Sequence, residues 1–208
     1  AIPVAIVLIG FGLDAKAFAQ GDSLVSGLVA VLLAMSVAFA AAMAFGRLLG
    51  LDSKTSVLLA AGTAVCGNSA IMAVAPAVKP RDEDVALTVG VVNVLSVLLL
   101  FGLPPLAGML GLEGTRGGAV AGLTIHALPQ ALAAGESIGP AALEAATLYK
   151  LMRVSMLAPL VLAVTWAFRE QGSEDQGSGR VGVPVFLLLF VAAAAARSLF
   201  RRPNSALT

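Results

Sequence analysis

Seven apolar stretches divide this chain, with polar and charged residues gathered between them. They run over about residues 1–13, 23–45, 55–78, 85–112, 117–135, 141–168 and 181–196. Residues 23–45 carry no charge at all. A run of that length reads as a membrane-spanning helix, because about 20 apolar residues cross a bilayer. None of the stretches shows the period-two alternation of a barrel strand. The pattern predicts an all-α integral membrane protein, a multi-span helical bundle forming a single transmembrane domain over residues 1–208. Lys79-Pro80-Arg81-Asp82-Glu83-Asp84 reads as an aqueous loop, and residues 169–180 as a flexible one. Pro104-Pro105 predicts that the fourth stretch bends or ends there.

Composition sharpens the class. Apolar residues make up 59% and charged ones 12%, against about 25% charged in soluble domains. Mean hydropathy is +0.96. The formal net charge of +1 excludes a nucleic-acid binder, which needs a basic excess. A single cysteine, Cys66, leaves neither an intrachain disulfide nor a cysteine metal cluster. Residues 1–13 are too few to span and lack a basic leader, and residues 197–208 form a basic tail. A longer chain is therefore expected at both ends. Orientation gives no signal if every stretch spans. Lys16, Lys79, Arg81, Arg197, Arg201 and Arg202 then fall on one side, and Arg47, Lys54, Arg116, Arg169 and Arg180 on the other.

Three of the stretches carry chemistry. The centre of the third reads Gly62-Thr63-Ala64-Val65-Cys66-Gly67-Asn68-Ser69-Ala70. Gly weakens a helix interior, and Asn and Ser compete for its backbone hydrogen bonds. The segment is expected to break near Gly62–Ser69, with a half-helix starting near Asn68 or Ser69 that aims its positive end at the gap. Interrupted segments of this kind point to a transporter binding site. A close helix–helix contact through small residues would use the same Gly and Ala. The spacing Gly62 to Gly67 also imitates a phosphate-binding loop, but Asn68 stands where a lysine is required, which excludes nucleotide binding.

The fifth stretch is interrupted as well. It holds His126, the only histidine, with Thr124 nearby, Gln130 one turn later and Pro129 between them. A lone histidine is not a metal site. In the sixth, Lys150 and Arg153 share one helix face, and Lys150 lies roughly 15 Å beyond Pro140, near mid-bilayer. No acidic residue in another stretch neutralises them, so the pair invites an anion. Snorkelling to an interface is the plainer reading.

These residues resemble the YeiH-type family of bacterial inner-membrane proteins, named for sulfate export. One motif is Gly62 to Ala70 followed by Pro76-Ala77-Val78-Lys79. A second is Thr124, His126 and Gln130 followed by Ala133-Ala134-Gly135. A third is Lys150 and Arg153 followed by Met156-Leu157-Ala158-Pro159. The resemblance implies an inverted-repeat transporter fold with crossing interrupted helices, similar to the cation–proton antiporter and anion transporter superfamily. It implies a multi-pass secondary transporter in the bacterial inner membrane, exporting a small anion, sulfate or an organic sulfonate. Many members have an acidic residue after the histidine, where this chain has Ala127. The expected substrate-binding residues are Thr63, Gly67, Asn68, Ser69, Thr124, His126, Gln130, Lys150 and Arg153. Expected partners are a small inorganic or organic anion, the lipid bilayer and further copies of the chain. No nucleic acid, cofactor, metal or catalytic residue is expected. The competing reading is an intramembrane serine hydrolase with Ser69 as nucleophile and His126 as base.

Overall fold

The computed structural model describes residues 22–170. The stretches at 1–13 and 181–196 and the basic tail lie outside the described residues. Residues 27–173 make one compact unit, and the fold below belongs to that unit. Of the other unit, only residues 22–26 at the start of the first helix are described.

The described residues form eight helices and no strand. They are α1 Asp22–Leu48, α2 Ser53–Ala64, α3 Asn68–Val78, α4 Asp82–Met109, α5 Gly114–Thr124, α6 Leu128–Ile138, α7 Pro140–Ser155 and α8 Leu157–Glu170. Three spans are long and apolar enough to cross a membrane: Ser26–Leu48, Asp82–Met109 and Pro140–Phe168. The last is interrupted at Met156, where α7 meets α8, and Pro159 has no N–H to give the carbonyl of Ser155. Pro104 and Pro105 do not end α4, which runs on to Met109.

The third stretch breaks at residues 65–67 and its second half-helix starts at Asn68, as its residues predict, but the interrupted stretches depart from the expectation in their course. They do not cross. Lys54 Nζ donates to the Lys79 carbonyl at 3.0 Å. Helices continuing in one direction would hold those residues roughly 35 Å apart at 1.5 Å per residue. Across the same pair, a methyl placed on Gly62 would lie 2.9 Å from Ile71 Cγ1. So α2 and α3 form a re-entrant hairpin with its tip at residues 65–67 and its mouth at Lys54 and Lys79. The second pair does the same: a methyl on Gly117 would lie 3.1 Å from Ile138 Cγ2, at the far ends of α5 and α6. Its tip is residues 125–127. The crossing helices implied by the resemblance are replaced by two hairpins.

Between them α4 has 28 residues, about 42 Å of helix and enough to traverse the bilayer. The hairpins therefore enter from opposite faces. Ser53–Met109 and Gly114–Glu170 are equal in length, and each is a hairpin followed by a traversing segment. This is an inverted repeat.

Small residues hold the second hairpin in place. A Cβ on Gly118 would collide with the Ala142 carbonyl, and one on Gly122 would come within 2.6 Å of the Ala146 carbonyl. The pairings 118 with 142 and 122 with 146 make α5 and α7 parallel. The α6 residue Gly135 packs against Ala142, Leu143 and Ala146 from the other side. With no hydrophobic drive between helices in lipid, such close backbone approach supplies the packing energy.

The hairpins also change the charge tally. Because the first hairpin returns to its own face, Arg47, Lys54, Lys79 and Arg81 share one end of the bundle, together with Arg169 at the end of α8. Among the described residues only Arg116 stands at the opposite end. On these residues the positive-inside bias leads to the expectation that the mouth of the first hairpin faces the cytoplasm. Single cysteines at Lys54 and Arg116 test this. In whole cells an impermeant thiol reagent should reach the second and not the first. The reverse labelling would invert the orientation.

Candidate functional site

The two hairpin tips meet at mid-membrane, where α7 and α4 serve their opposite ends. At the first tip the backbone leaves the helix at Val65 and turns through Gly67, whose φ of 67° and ψ of −121° require glycine. A side chain there would also press on Val92 and on His126. At the second tip Ile125 and Ala127 are extended. Pro129 does not loosen a helix. It sits in the first turn of α6, where its missing N–H has no intrahelical partner to lose.

Each hairpin presents the C-terminal end of its first helix to α7. There the last carbonyls lack intrahelical partners and carry about half a negative charge. Lys150 and Arg153 answer both ends at once. Arg153 Nε donates to the Ala64 carbonyl at 2.8 Å, and its other nitrogens donate to Thr63 on the first hairpin and Leu123 on the second. Lys150 Nζ donates to the Ile125 carbonyl at 2.6 Å and lies 3.5 Å from that of Val65. Thr63 and Leu123 stand two residues before Val65 and Ile125, so each cation bridges equivalent carbonyls of the two repeats. Lys150 is 0% and Arg153 2% exposed. An uncompensated or exposed pair was the expectation for this chain. The partners are backbone oxygens, present at every residue and so invisible to a search for acidic side chains.

The opposite, N-terminal ends of α3 and α6 are tied to α4. Asn68 Nδ2 donates to Asn93 Oδ1 at 3.0 Å. Ser96 Oγ donates to Gln130 Oε1 and accepts from the Ala127 N–H at 3.3 Å. Asn93 and Ser96 are i,i+3 on one face of α4, and sequence reasoning missed them. Their signal was a polar pair one turn apart in an otherwise apolar span. His126 and Gln130 do not share a helical face, since α6 begins only at Leu128.

A cavity of about 740 Å³ lies between α1 and the tips. Thr63, Thr124, His126 and Arg153 line it among apolar side chains. Gly67, Asn68, Ser69, Gln130 and Lys150 do not. The geometry thus gathers His126 and Arg153 with the two threonines and leaves the Asn68–Ser69 turn to one side. The hydroxyls of Thr63 and Thr124 donate to backbone carbonyls of their own helices. His126 is 4% exposed, and its Nδ1 has no partner. Through that nitrogen, then, the Ser69–His126 contact a hydrolase needs is not made. Among the described residues no cluster of His, Cys, Asp and Glu suits a metal.

Comparison with known proteins places this arrangement. The family described as Conserved hypothetical protein 698 matches residues 1–208. The chain belongs to this family. A UPF0324 membrane protein of Agrobacterium fabrum is 37% identical over 207 residues, covering 100% of this chain and 59% of its own length. One from Bradyrhizobium diazoefficiens is 37% identical, covering 98% and 58%. The UPF0324 membrane protein TauZ of Paracoccus denitrificans is 40% identical over 200 residues, covering 93% and 58%. The chain spans about three-fifths of the length of the curated relatives it matches. No solved structure matches it. The resemblance carried by the three motifs holds at the family level, and the protein is a multi-pass membrane protein.

Proposed function

We propose that this protein is a secondary transporter of the bacterial inner membrane that exports a small oxyanion, sulfate or an organic sulfonate. One observation carries the reading: two opposed hairpins converge at mid-membrane on a buried cation pair. Discontinuous helices at the repeat interface are the usual seat of substrate in secondary transporters. Charge favours an anion. Lys150 and Arg153 bring two positive charges, and the two C-terminal helix ends offset about one of them. The two N-terminal ends at Asn68 and Leu128 add about half a positive charge each. Among the described residues no acidic side chain is bonded to either cation.

His126 offers the cleanest test, because its Nδ1 has no partner among the described residues. Full-length protein in liposomes should show saturable sulfate or sulfonate flux. His126→Leu should raise the half-saturation concentration about tenfold to a hundredfold, the worth of one hydrogen bond to a charged group. Flux that is absent, or indifferent to every anion offered, would sink the reading.

A further inference from the structure

We infer that the space between α1 and the hairpin tips receives the apolar body of an organic anion, whose charged head rests on Arg153 and His126. This rests on the transporter reading above and narrows its substrate class.

The cavity is strongly asymmetric. Its walls are Leu33, Val37 and Phe45 of α1 with Leu95 and Leu99 of α4. Its polar groups are confined to one end, at the tips. The space is an open groove, with Leu33, Val37 and Phe45 well exposed, and its volume of about 740 Å³ falls in the range of roughly 300–1,000 Å³ typical of pockets for organic molecules. A tetrahedral inorganic ion would fill only the polar end and leave the apolar walls unused. The head has two donors in reserve. Arg153 gives three of its five N–H groups to carbonyls, and the remaining two can grip an oxyanion as a fork. His126 is buried with Nδ1 unpartnered and lines the same space. A buried polar atom without a partner costs free energy, and a ligand oxygen would satisfy it. A sulfonate or carboxylate on an alkyl or aryl body meets both demands.

The experiment uses full-length protein in nanodiscs and a series of alkanesulfonates from methane- to octanesulfonate, with sulfate and the matching neutral alkanols alongside. Binding is measured by calorimetry after subtracting empty nanodiscs. Affinity should rise about fourfold per added methylene until the cavity is full, the ratio set by burying one CH₂. Sulfate should bind weakly, and alkanols far more weakly than sulfonates of the same length. Ala38→Phe, which projects a ring into the cavity from α1, should flatten the chain-length slope, weakening octanesulfonate far more than methanesulfonate. Ala34→Phe, one turn away on the same wall, serves if the first variant does not fold. Equal affinity for sulfate and every sulfonate would overturn this inference and leave the anion reading standing. Alkanols that match the sulfonates would make the cavity a lipid-chain site and also overturn it. If no anion binds, the transporter reading itself falls.

Discussion

Arg153→Ala should lower the melting temperature of the full-length protein by up to about 10 °C. The substitution strips the Thr63, Ala64 and Leu123 carbonyls of their donor in one step. It also leaves Lys150 alone between two negative helix ends. Removing one partner from a buried charged arrangement costs about 3–5 kcal/mol, and at the low end of the roughly 2–4 °C per kcal/mol seen in chains of 150–250 residues, as suits a longer protein, this amounts to about 10 °C at most. Arg153→Lys keeps the charge but loses the fork. One ammonium cannot reach three carbonyls spread over two hairpins, so this variant should fall between Arg153→Ala and the unsubstituted protein. Thermal unfolding in nanodiscs decides it. A shift for Arg153→Ala no larger than that of a surface change such as Arg116→Ala would mean the carbonyls are served by something else.

Gly118→Val should be comparably damaging and for a different reason. A Cβ at Gly118 collides with the backbone of Ala142, and backbone cannot rotate aside as a side chain can. The only relief is for α5 to withdraw from α7. That movement carries the second tip away from Lys150 and Arg153, so packing and hydrogen bonding fail together. Gly102 of α4, with nothing within 4 Å of its would-be Cβ, is the control. Gly102→Val should change stability by less than about 0.5 kcal/mol, since valine is a slightly better helix former than glycine and meets nothing there. A cysteine pair spanning 118-side and 142-side positions would report the separation as a lost crosslink. Equal tolerance of valine at both glycines would contradict the close-packed interface.

The division of labour along the chain was partly legible beforehand. Asn68 and Ser69 after Gly67, and Pro129 after His126, marked both breaks, because each of those residues disturbs a helix locally. Whether a broken segment crosses or turns back is not a local matter. Residues 55–78 have the same composition in either case, and what decides is Lys54 meeting Lys79 and Gly62 meeting Ile71. The site was legible to the same extent. Lys150 and Arg153 announced themselves by their charge, and their tertiary neighbourhood did not. Backbone carbonyls leave no trace in composition, so the pair looked free when both hairpins already held it. Asn93 and Ser96 were overlooked for the opposite reason. Uncharged and short, they matter only because α4 passes beside the starts of α3 and α6.

The shared hold on both tips has a mechanical consequence. Arg153 and Lys150 are not divided between the hairpins; each reaches both. If the first hairpin swings away, the cations keep Leu123 and Ile125. If the second swings away, they keep Thr63, Ala64 and Val65. Withdrawing both at once would strand two charges and five carbonyls in the middle of the membrane. A continuous pore is therefore the most penalised arrangement open to these elements, and either single opening is cheaper. In the transport proposed above, one turn of α7 would make the two openings mutually exclusive, and a leak would require breaking that turn's grip on both sides at once.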